Sequence, residues 1–211
     1  KSQNTPPKNW IYTTIGVMLL WICWYGMTAG QLFSITSPDN LSYLGWTVIN
    51  VTLAAATGGL AAMGLSWATE KKPNFTLKLN GILGGLVAIS ACCDTAAPGS
   101  AMTIGAVAGI LVYCGNYLLT KLQVDETTTT WPIFGLCGVW GGMAAAFFGG
   151  HGFLPQLVGS VFIPFCSFIL AYGAFKILQK FNQLRVSQEE ENHGQPDQEP
   201  TSEQKRHLRV S

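Results

Sequence analysis

Residues 131–150 read WPIFGLCGVWGGMAAAFFGG, and this run contains no charged residue. It is apolar over about 20 residues, the length that a helix needs to cross a bilayer core about 30 Å thick. Its glycines at positions 135, 138, 141 and 142 give it a nearly bare face, and such faces let the backbone of another helix come close. The pattern therefore predicts a transmembrane helix that packs centrally among other helices and lines a pore.

Charged residues are scarce and unevenly placed along the chain. They make up 11% of the 211 residues, whereas about 25% is usual for a soluble domain. Every lysine and arginine lies within residues 1–8, 71–78, 121 or 176–209, and long apolar runs separate these segments. The composition predicts an all-α polytopic membrane helix bundle. The net charge of +1, with no basic patch between aromatic residues, gives no support for a nucleic-acid partner.

The apolar runs predict six membrane-spanning helices with polar, proline-containing or charged connections between them. The third run is short for a crossing, because residues 94–100 break it with Pro98 and Gly99. The predicted spans are 9–33, 44–68, 79–93, 101–122, 131–150 and 156–181. Three domains follow: a linker at 1–8, the transmembrane domain at 9–183, and a polar, largely disordered tail at 184–211.

The distribution of positive charge predicts the orientation of the bundle. The connections at 34–43, 94–100 and 150–155 contain no lysine or arginine, and all 12 lie on the opposite side. Because positive residues are enriched on the cytoplasmic side, we expect a multi-pass protein of the plasma membrane with both ends of this segment in the cytoplasm. The sequence starts at Lys1, and we expect a fragment or a processed chain.

Few polar side chains lie within the predicted spans. Asp94 is either a carboxylate that attracts cations to an outer vestibule or an acid that caps a broken helix end. His151 is interpreted as a solvated side chain in an outer loop, and Asn50, Asn80 and Asn116 as bridges between helices. No cysteine or histidine spacing predicts a metal site, and no cofactor motif is present.

Aromatic residues cluster in the first and fifth spans. Trp21, Trp24 and Tyr25 lie in the first span, and Phe134 and Trp140 lie in the fifth. Aromatic side chains inside a membrane usually pack, but they also form narrow apolar constrictions or bind a small cation through a ring face. The residues alone leave both interpretations open.

Five motifs on separate helices and on the tail together resemble the ammonium transporter (Amt/Mep/Rh) family. They are LLWICWYGMTAG (19–30), INVTLAAATGGL (49–60), LNGILGGLVAISACCDTAAPGSAMTIGAVAG (79–109), FGLCGVWGG (134–142) and LRVSQEEENHG (184–194). The resemblance implies an eleven-helix fold of two inverted five-helix repeats and one further helix, assembled as a homotrimer with a pore in each protomer. This chain resembles helices 6–11 of that fold, the second repeat and the last helix.

The resemblance also implies a function and a site. In that family aromatic rings and a serine recruit ammonium, a phenylalanine gates the pore, and two facing histidines lie inside it. The matching positions here are Trp24 for recruitment, Met27 for the gate and Gln31 for the serine. Phe134 stands where the second pore histidine is expected, and a benzene ring cannot relay a proton. The implied function is transport of ammonium or ammonia, without enzymatic chemistry.

The start of the tail resembles a cytoplasmic segment of the same family. That segment packs under neighbouring protomers and, in prokaryotic members, meets the trimeric nitrogen-regulatory PII protein. The resemblance therefore implies a regulatory tail and a PII-type partner. The residues concerned are Arg185, Glu189, Glu190 and Glu191.

Two other functions are compatible with the residues. The departures at Met27, Gln31 and Phe134 favour a non-conducting ammonium sensor or a regulatory subunit of a mixed trimer. Six spans and Ser100 also allow an intramembrane protease. Against the protease, the chain has no Gly-x-Ser-Gly run, and His151 is predicted in a loop rather than on a helix facing the serine.

Overall fold

A computed structural model describes residues 10–30, 38–123, 129–150 and 152–180. Its elements are α1 (Trp10–Ala29), α2 (Pro38–Glu70), α3 (Phe75–Ile89), α4 (Pro98–Lys121), a π-helical turn (Trp131–Leu136), α5 (Cys137–Phe148) and α6 (Phe153–Lys180). The π-helical turn runs directly into α5, so the two form the single span predicted from residues 131–150.

The predicted all-α membrane bundle is confirmed. α1, α2, α4, α6 and the combined π-helical turn and α5 are long and apolar enough to cross a membrane. α3 has 15 residues, so it extends about 22 Å and is shorter than a bilayer core of about 30 Å. This agrees with the prediction that the third span is short.

Two of the four helices that begin earlier than the sequence predicted start at a proline. α2 starts at Pro38, inside the predicted loop 34–43, and α4 starts at Pro98, inside the predicted break 94–100. The first N–H groups of a helix have no intrahelical partner, so a proline there loses nothing and its fixed φ suits the helix. The break predicted after the third span is present, since α3 ends at Ile89 and α4 starts at Pro98, but each proline begins the next helix rather than lying in the loop before it.

The connection between α2 and α3 is shorter than the predicted turn 69–78. α2 ends at Glu70, and Lys71 follows with a left-handed backbone (φ 56°), a conformation that commonly stops helices. Asn74 then caps α3, because its side-chain oxygen accepts a hydrogen bond from the Leu77 N–H at 3.2 Å. The cap starts α3 within the segment that the sequence predicted as a charged turn.

Helices α2, α3 and α4 form the centre of the bundle, where glycines let their backbones touch. A Cβ atom at Gly105 of α4 or at Gly85 of α3 would overlap the carbonyl oxygen of Ala54 in α2. A Cβ atom at Gly81 of α3 would lie 2.5 Å from the carbonyl oxygen of Gly58 in α2. Because no side chain fits in these contacts, the three helices can pack this closely only with glycine there.

The fifth span packs on this centre through one of its glycines. A Cβ atom at Gly141 of α5 would lie 2.6 Å from the carbonyl oxygen of Ala88 in α3. Beside it, the Trp140 indole N–H donates to the carbonyl oxygen of Ile104 in α4 at 3.1 Å. α5 therefore contacts both α3 and α4, as its glycine pattern predicted.

The chain up to Pro164 forms one compact unit. Within it the start of α6 lies beside the end of α5, where the rings of Phe147 and Phe153 have centroids 5.7 Å apart. The chain from Phe165 onward is a second unit, and its described part is the remainder of α6. No residue of α6 is buried within this chain.

Candidate functional site

The residue predicted to recruit the substrate also ties two helices together. Trp24 of α1 is half-buried, and its indole N–H donates to the Ser90 hydroxyl at 3.0 Å. The Ser90 hydroxyl in turn donates to the Leu86 carbonyl oxygen at 2.8 Å. These bonds join α1 to the C-terminal end of α3. The Trp24 N–H is therefore used within the protein, and its ring packs partly against the buried core.

A second hydrogen bond ties α1 to α2. The hydroxyl oxygens of Tyr25 and Thr52 lie 2.8 Å apart, and the Thr52 hydroxyl donates to the Val48 carbonyl oxygen at 2.7 Å. A threonine hydroxyl has one proton, so Tyr25 is the donor in the pair. Sequence reasoning missed both Ser90 and Thr52, since each meets its partner only through the crossing of two distant helices.

Met27 and Phe134 lie on helix faces that the described part of this chain does not cover. Met27 of α1 is 48% exposed and Phe134 of the π-helical turn is 53% exposed, whereas their neighbours Thr28 and Ile133 are buried. Both α1 and the π-helical turn pack against α3. The structure therefore places the predicted gate and the predicted histidine position on two elements that share a supporting helix. Gln31 lies outside the described residues.

The backbone around Phe134 departs from a regular α-helix. The Cys137 N–H bonds back to the Pro132 carbonyl oxygen, five residues earlier, which is the spacing of a π-helix. One extra residue in a turn rotates the side chains before it by about 100° relative to those after it. The π-helical turn therefore sets the direction of Phe134 relative to Trp140 of α5. Such turns are frequent at functional sites.

A buried side chain of α2 holds the turn between α3 and α4. Asn50 has 0% exposure, and its Nδ2 donates to the carbonyl oxygens of Cys93 at 2.9 Å and Ala96 at 2.7 Å. Its Oδ1 is also buried and has no hydrogen-bond partner in the part of the chain that the structure describes. The interpretation of Asn50 as a bridge between helices is confirmed.

Asp94 lies in the same turn and is exposed. The N-cap residue of α4 is Ala97, whose side chain makes no cap hydrogen bond, so Asp94 is not the N-cap residue of α4. The alternative in which Asp94 caps a broken helix end stays a prediction. The turn that contains Asp94 follows the C-terminal end of α3, whereas Lys71 and Lys72 precede the N-terminal end of the same helix. An exposed carboxylate there is compatible with the predicted cation-attracting role at an outer vestibule, which stays a prediction.

The remaining predicted residues lie outside the described part of the chain. They are His151 and the tail residues Arg185, Glu189, Glu190 and Glu191. Within the described ranges, no three His, Cys, Asp or Glu residues are close enough together to hold a metal ion.

We expect Asn50→Leu to destabilise the protein by about 2–4 kcal/mol. The substitution removes both donors and leaves the carbonyl oxygens of Cys93 and Ala96 buried without partners. Thermal unfolding of the purified protein in detergent measures the effect. Asn116→Leu is the matched control. The sequence also suggested a bridge at Asn116, but in the described residues only its backbone oxygen accepts from a side chain, and it lies outside the buried core. This substitution should change stability by about 0.5 kcal/mol or less. Equal losses in the two variants would contradict the bridging role.

Comparisons with known proteins agree with this architecture. The model of the Ammonium Transporter Family matches residues 1–204. A protein of Synechocystis sp. that bears an ammonium-transporter name is 43% identical over 187 residues, which cover 86% of this chain and 42% of that protein. Ammonium transporter Amt2 of Archaeoglobus fulgidus is 32% identical over 210 residues, which cover 90% of this chain and 44% of that protein.

A solved structure named Sensor Amt Protein is also similar. It is 29% identical in sequence and matches with a TM-score of 0.79, over 89% of this chain and 48% of its own. The chain therefore spans less than half the length of these relatives.

Proposed function

The chain belongs to the ammonium transporter family, and we propose that it forms one side of a passage for ammonium or ammonia through a membrane. The family is one of transporters rather than enzymes. The main support is the 43% identity to the Synechocystis sp. protein across 86% of this chain. Since that match covers 42% of the relative, we propose that a segment like the remainder of the relative supplies the other side.

The passage that we propose is apolar. Removing a bare ammonium ion from water into such a bore is costly, whereas neutral ammonia enters more easily. Trp24 offers a ring face to the cation at the entrance, and Met27 narrows the entrance by its bulk. Gln31 takes the recruiting position, where its carbonyl oxygen accepts a hydrogen bond from ammonium. Asp94 raises the local concentration of cations at the outer mouth.

Phe134 distinguishes this passage from that of a histidine-containing relative. A hydrogen-bonded pair of imidazoles can move a proton beside the ammonia, but a phenyl ring has no exchangeable proton. The half-exposed ring instead narrows the passage and keeps it dry. We therefore propose slower conduction than in a relative with histidine at this position.

A second candidate function is ammonium sensing without conduction. One observation favours it: a solved structure with 29% identity is named Sensor Amt Protein. The proposal that Phe134 stands at the position of a proton-relaying histidine agrees with it. In this alternative the ring of Phe134 closes the passage. Ammonium bound near Trp24 then acts by changing contacts of the tail, or of a neighbouring subunit in a mixed trimer.

We propose that the protein is a homotrimer in the plasma membrane. The distribution of lysines supports an orientation with both ends of this segment in the cytoplasm, since Lys71, Lys72 and Lys121 all lie at one end of the bundle. The tail at 184–211 would then reach neighbouring protomers and a PII-type regulatory protein. Its proposed contact residues are Arg185, Glu189, Glu190 and Glu191.

Uptake of labelled methylammonium separates the two candidates. The protein is produced from its complete reading frame in cells that lack ammonium uptake of their own. We expect saturable uptake that unlabelled ammonium inhibits, and Asp94→Asn should raise the substrate concentration needed for half-saturation. Cells without the protein are the control. Uptake no greater than in those cells, together with binding of methylammonium to the purified protein, would contradict conduction and support the sensor.

A further inference from the structure

A cavity of about 260 Å³ lies at the lysine-bearing end of the bundle. It is bounded by the start of α1, the end of α2, the turn that follows and the start of α3. The residues that bear on its chemistry are Trp10, Thr13, Glu70, Lys72, Phe75 and Thr76. This volume is below the range of about 300–1,000 Å³ typical of sites for drug-sized ligands, so the cavity suits a small group.

The wall of the cavity is held by hydrogen bonds. The Asn74 N–H donates to the Ser66 hydroxyl at 3.1 Å, and that hydroxyl donates to the Met63 carbonyl oxygen at 2.8 Å. Ser66 is fully buried. The Asn74 side chain caps α3, so the turn is fixed at both ends. The part of the cavity wall that the α2–α3 turn forms is therefore held by the folded bundle.

Aromatic residues place the cavity at the level of the membrane surface. The rings of Trp10 and Phe75 have centroids 5.4 Å apart, and Lys78 Nζ lies 5.3 Å from the centroid of Phe75. Trp10, Trp67 and Tyr117 are all exposed near the same end of the bundle. Exposed tryptophan and tyrosine at helix ends are typical of the interface between lipid and water, where phospholipid head groups lie.

The charges that line the cavity indicate the class of ligand. The lining contains one carboxylate, Glu70, and one ammonium, Lys72, so it has no net charge. A phosphate accepts hydrogen bonds from an ammonium, and a carboxylate accepts them from a primary ammonium. We propose that this cavity binds the head group of a zwitterionic phospholipid with a primary ammonium, its phosphate toward Lys72 and its ammonium toward Glu70.

Native mass spectrometry of the purified protein with added lipids tests this proposal. The probes are phosphatidylethanolamine, phosphatidylcholine and phosphatidylglycerol with identical acyl chains. We expect phosphatidylethanolamine to be retained about threefold more than either of the others. Phosphatidylcholine has no N–H to donate to Glu70, and phosphatidylglycerol has no cation to place there.

Variants at exposed positions test the two proposed contacts of the head group separately. Glu70→Gln and Lys72→Gln should each reduce phosphatidylethanolamine retention to the level of phosphatidylcholine, and Lys121→Gln, which removes an exposed lysine from the same end of the bundle, should leave it unchanged. Two results would overturn the proposal: equal retention of all three lipids, or a preference for phosphatidylglycerol that Glu70→Gln strengthens.

A soluble probe distinguishes a lipid from a free metabolite. Glycerophosphoethanolamine, which lacks acyl chains, should compete poorly with phosphatidylethanolamine, because the lipid gains affinity from the surrounding apolar surface. Competition at equal concentrations would overturn the assignment to a membrane lipid. The lipid-binding measurement does not involve transport. A negative result in it would therefore not contradict the proposed passage, and an absence of transport would not contradict the proposed lipid site.

Discussion

Gly105→Leu is expected to destabilise the protein by about 3 kcal/mol or more, enough to lower its yield in the membrane sharply. The new Cβ atom would overlap the carbonyl oxygen of Ala54 and the hydroxyl of Thr57. The first of these is backbone, so α2 and α4 would have to separate to admit the side chain. Thermal unfolding in detergent and the amount of folded protein recovered from membranes measure the effect.

Gly64→Leu is the matched control for that substitution. Gly64 lies within α2, the helix that Gly105 contacts, but a Cβ atom at Gly64 meets nothing within 4 Å. Leucine has a higher helix propensity than glycine, so this variant should be as stable as the wild-type protein or slightly more stable. If Gly64→Leu and Gly105→Leu lost stability equally, the glycines would matter through backbone flexibility, and the close contact of α2 with α4 would be contradicted.

Phe134→His is expected to raise ammonium-coupled current about tenfold or more, because a positioned acid or base typically accelerates proton transfer by about 10²–10⁴. An imidazole at this position would restore the group that the family resemblance expects on this side of the passage. The measurement is the current evoked by ammonium in proteoliposomes that contain the purified protein.

Phe134→Gln is the control for polarity alone. Glutamine is similar in size to histidine and forms hydrogen bonds, but it does not titrate near neutral pH. If glutamine raised the current as much as histidine did, the gain would come from wetting the passage rather than from proton relay. No change with either residue would show that another position also blocks conduction.

The sequence predicted the helical bundle because the signals concerned are local. The segregation of lysine and arginine separates the spans, and the uncharged run at 131–150 is long enough for one of them. The glycines of residues 131–150 pointed to close packing, and a Cβ atom at Gly141 would lie 2.6 Å from the carbonyl oxygen of Ala88 in α3. The helix starts were predicted less well, because Pro38 and Pro98 were assigned to the connections before α2 and α4, whereas each is the first residue of its helix.

The site was less predictable because it depends on which helices cross. Asn50 was interpreted as a bridge, but its partners, the carbonyl oxygens of Cys93 and Ala96, follow only from the fold of the next turn. The bond from Trp24 to Ser90 joins residues 66 positions apart. The π-helical turn before Cys137 orients Phe134, but the spacing of apolar residues in the sequence does not reveal it.

A cryo-electron microscopy map of the whole protein in lipid nanodiscs is the most direct measurement. We expect α1 and the π-helical turn to face a narrow axial passage, with the side chains of Met27 and Phe134 lining it. A map in which the ring of Phe134 faces lipid, or in which no passage runs beside these two elements, would contradict the proposal that this chain forms one side of an ammonium path.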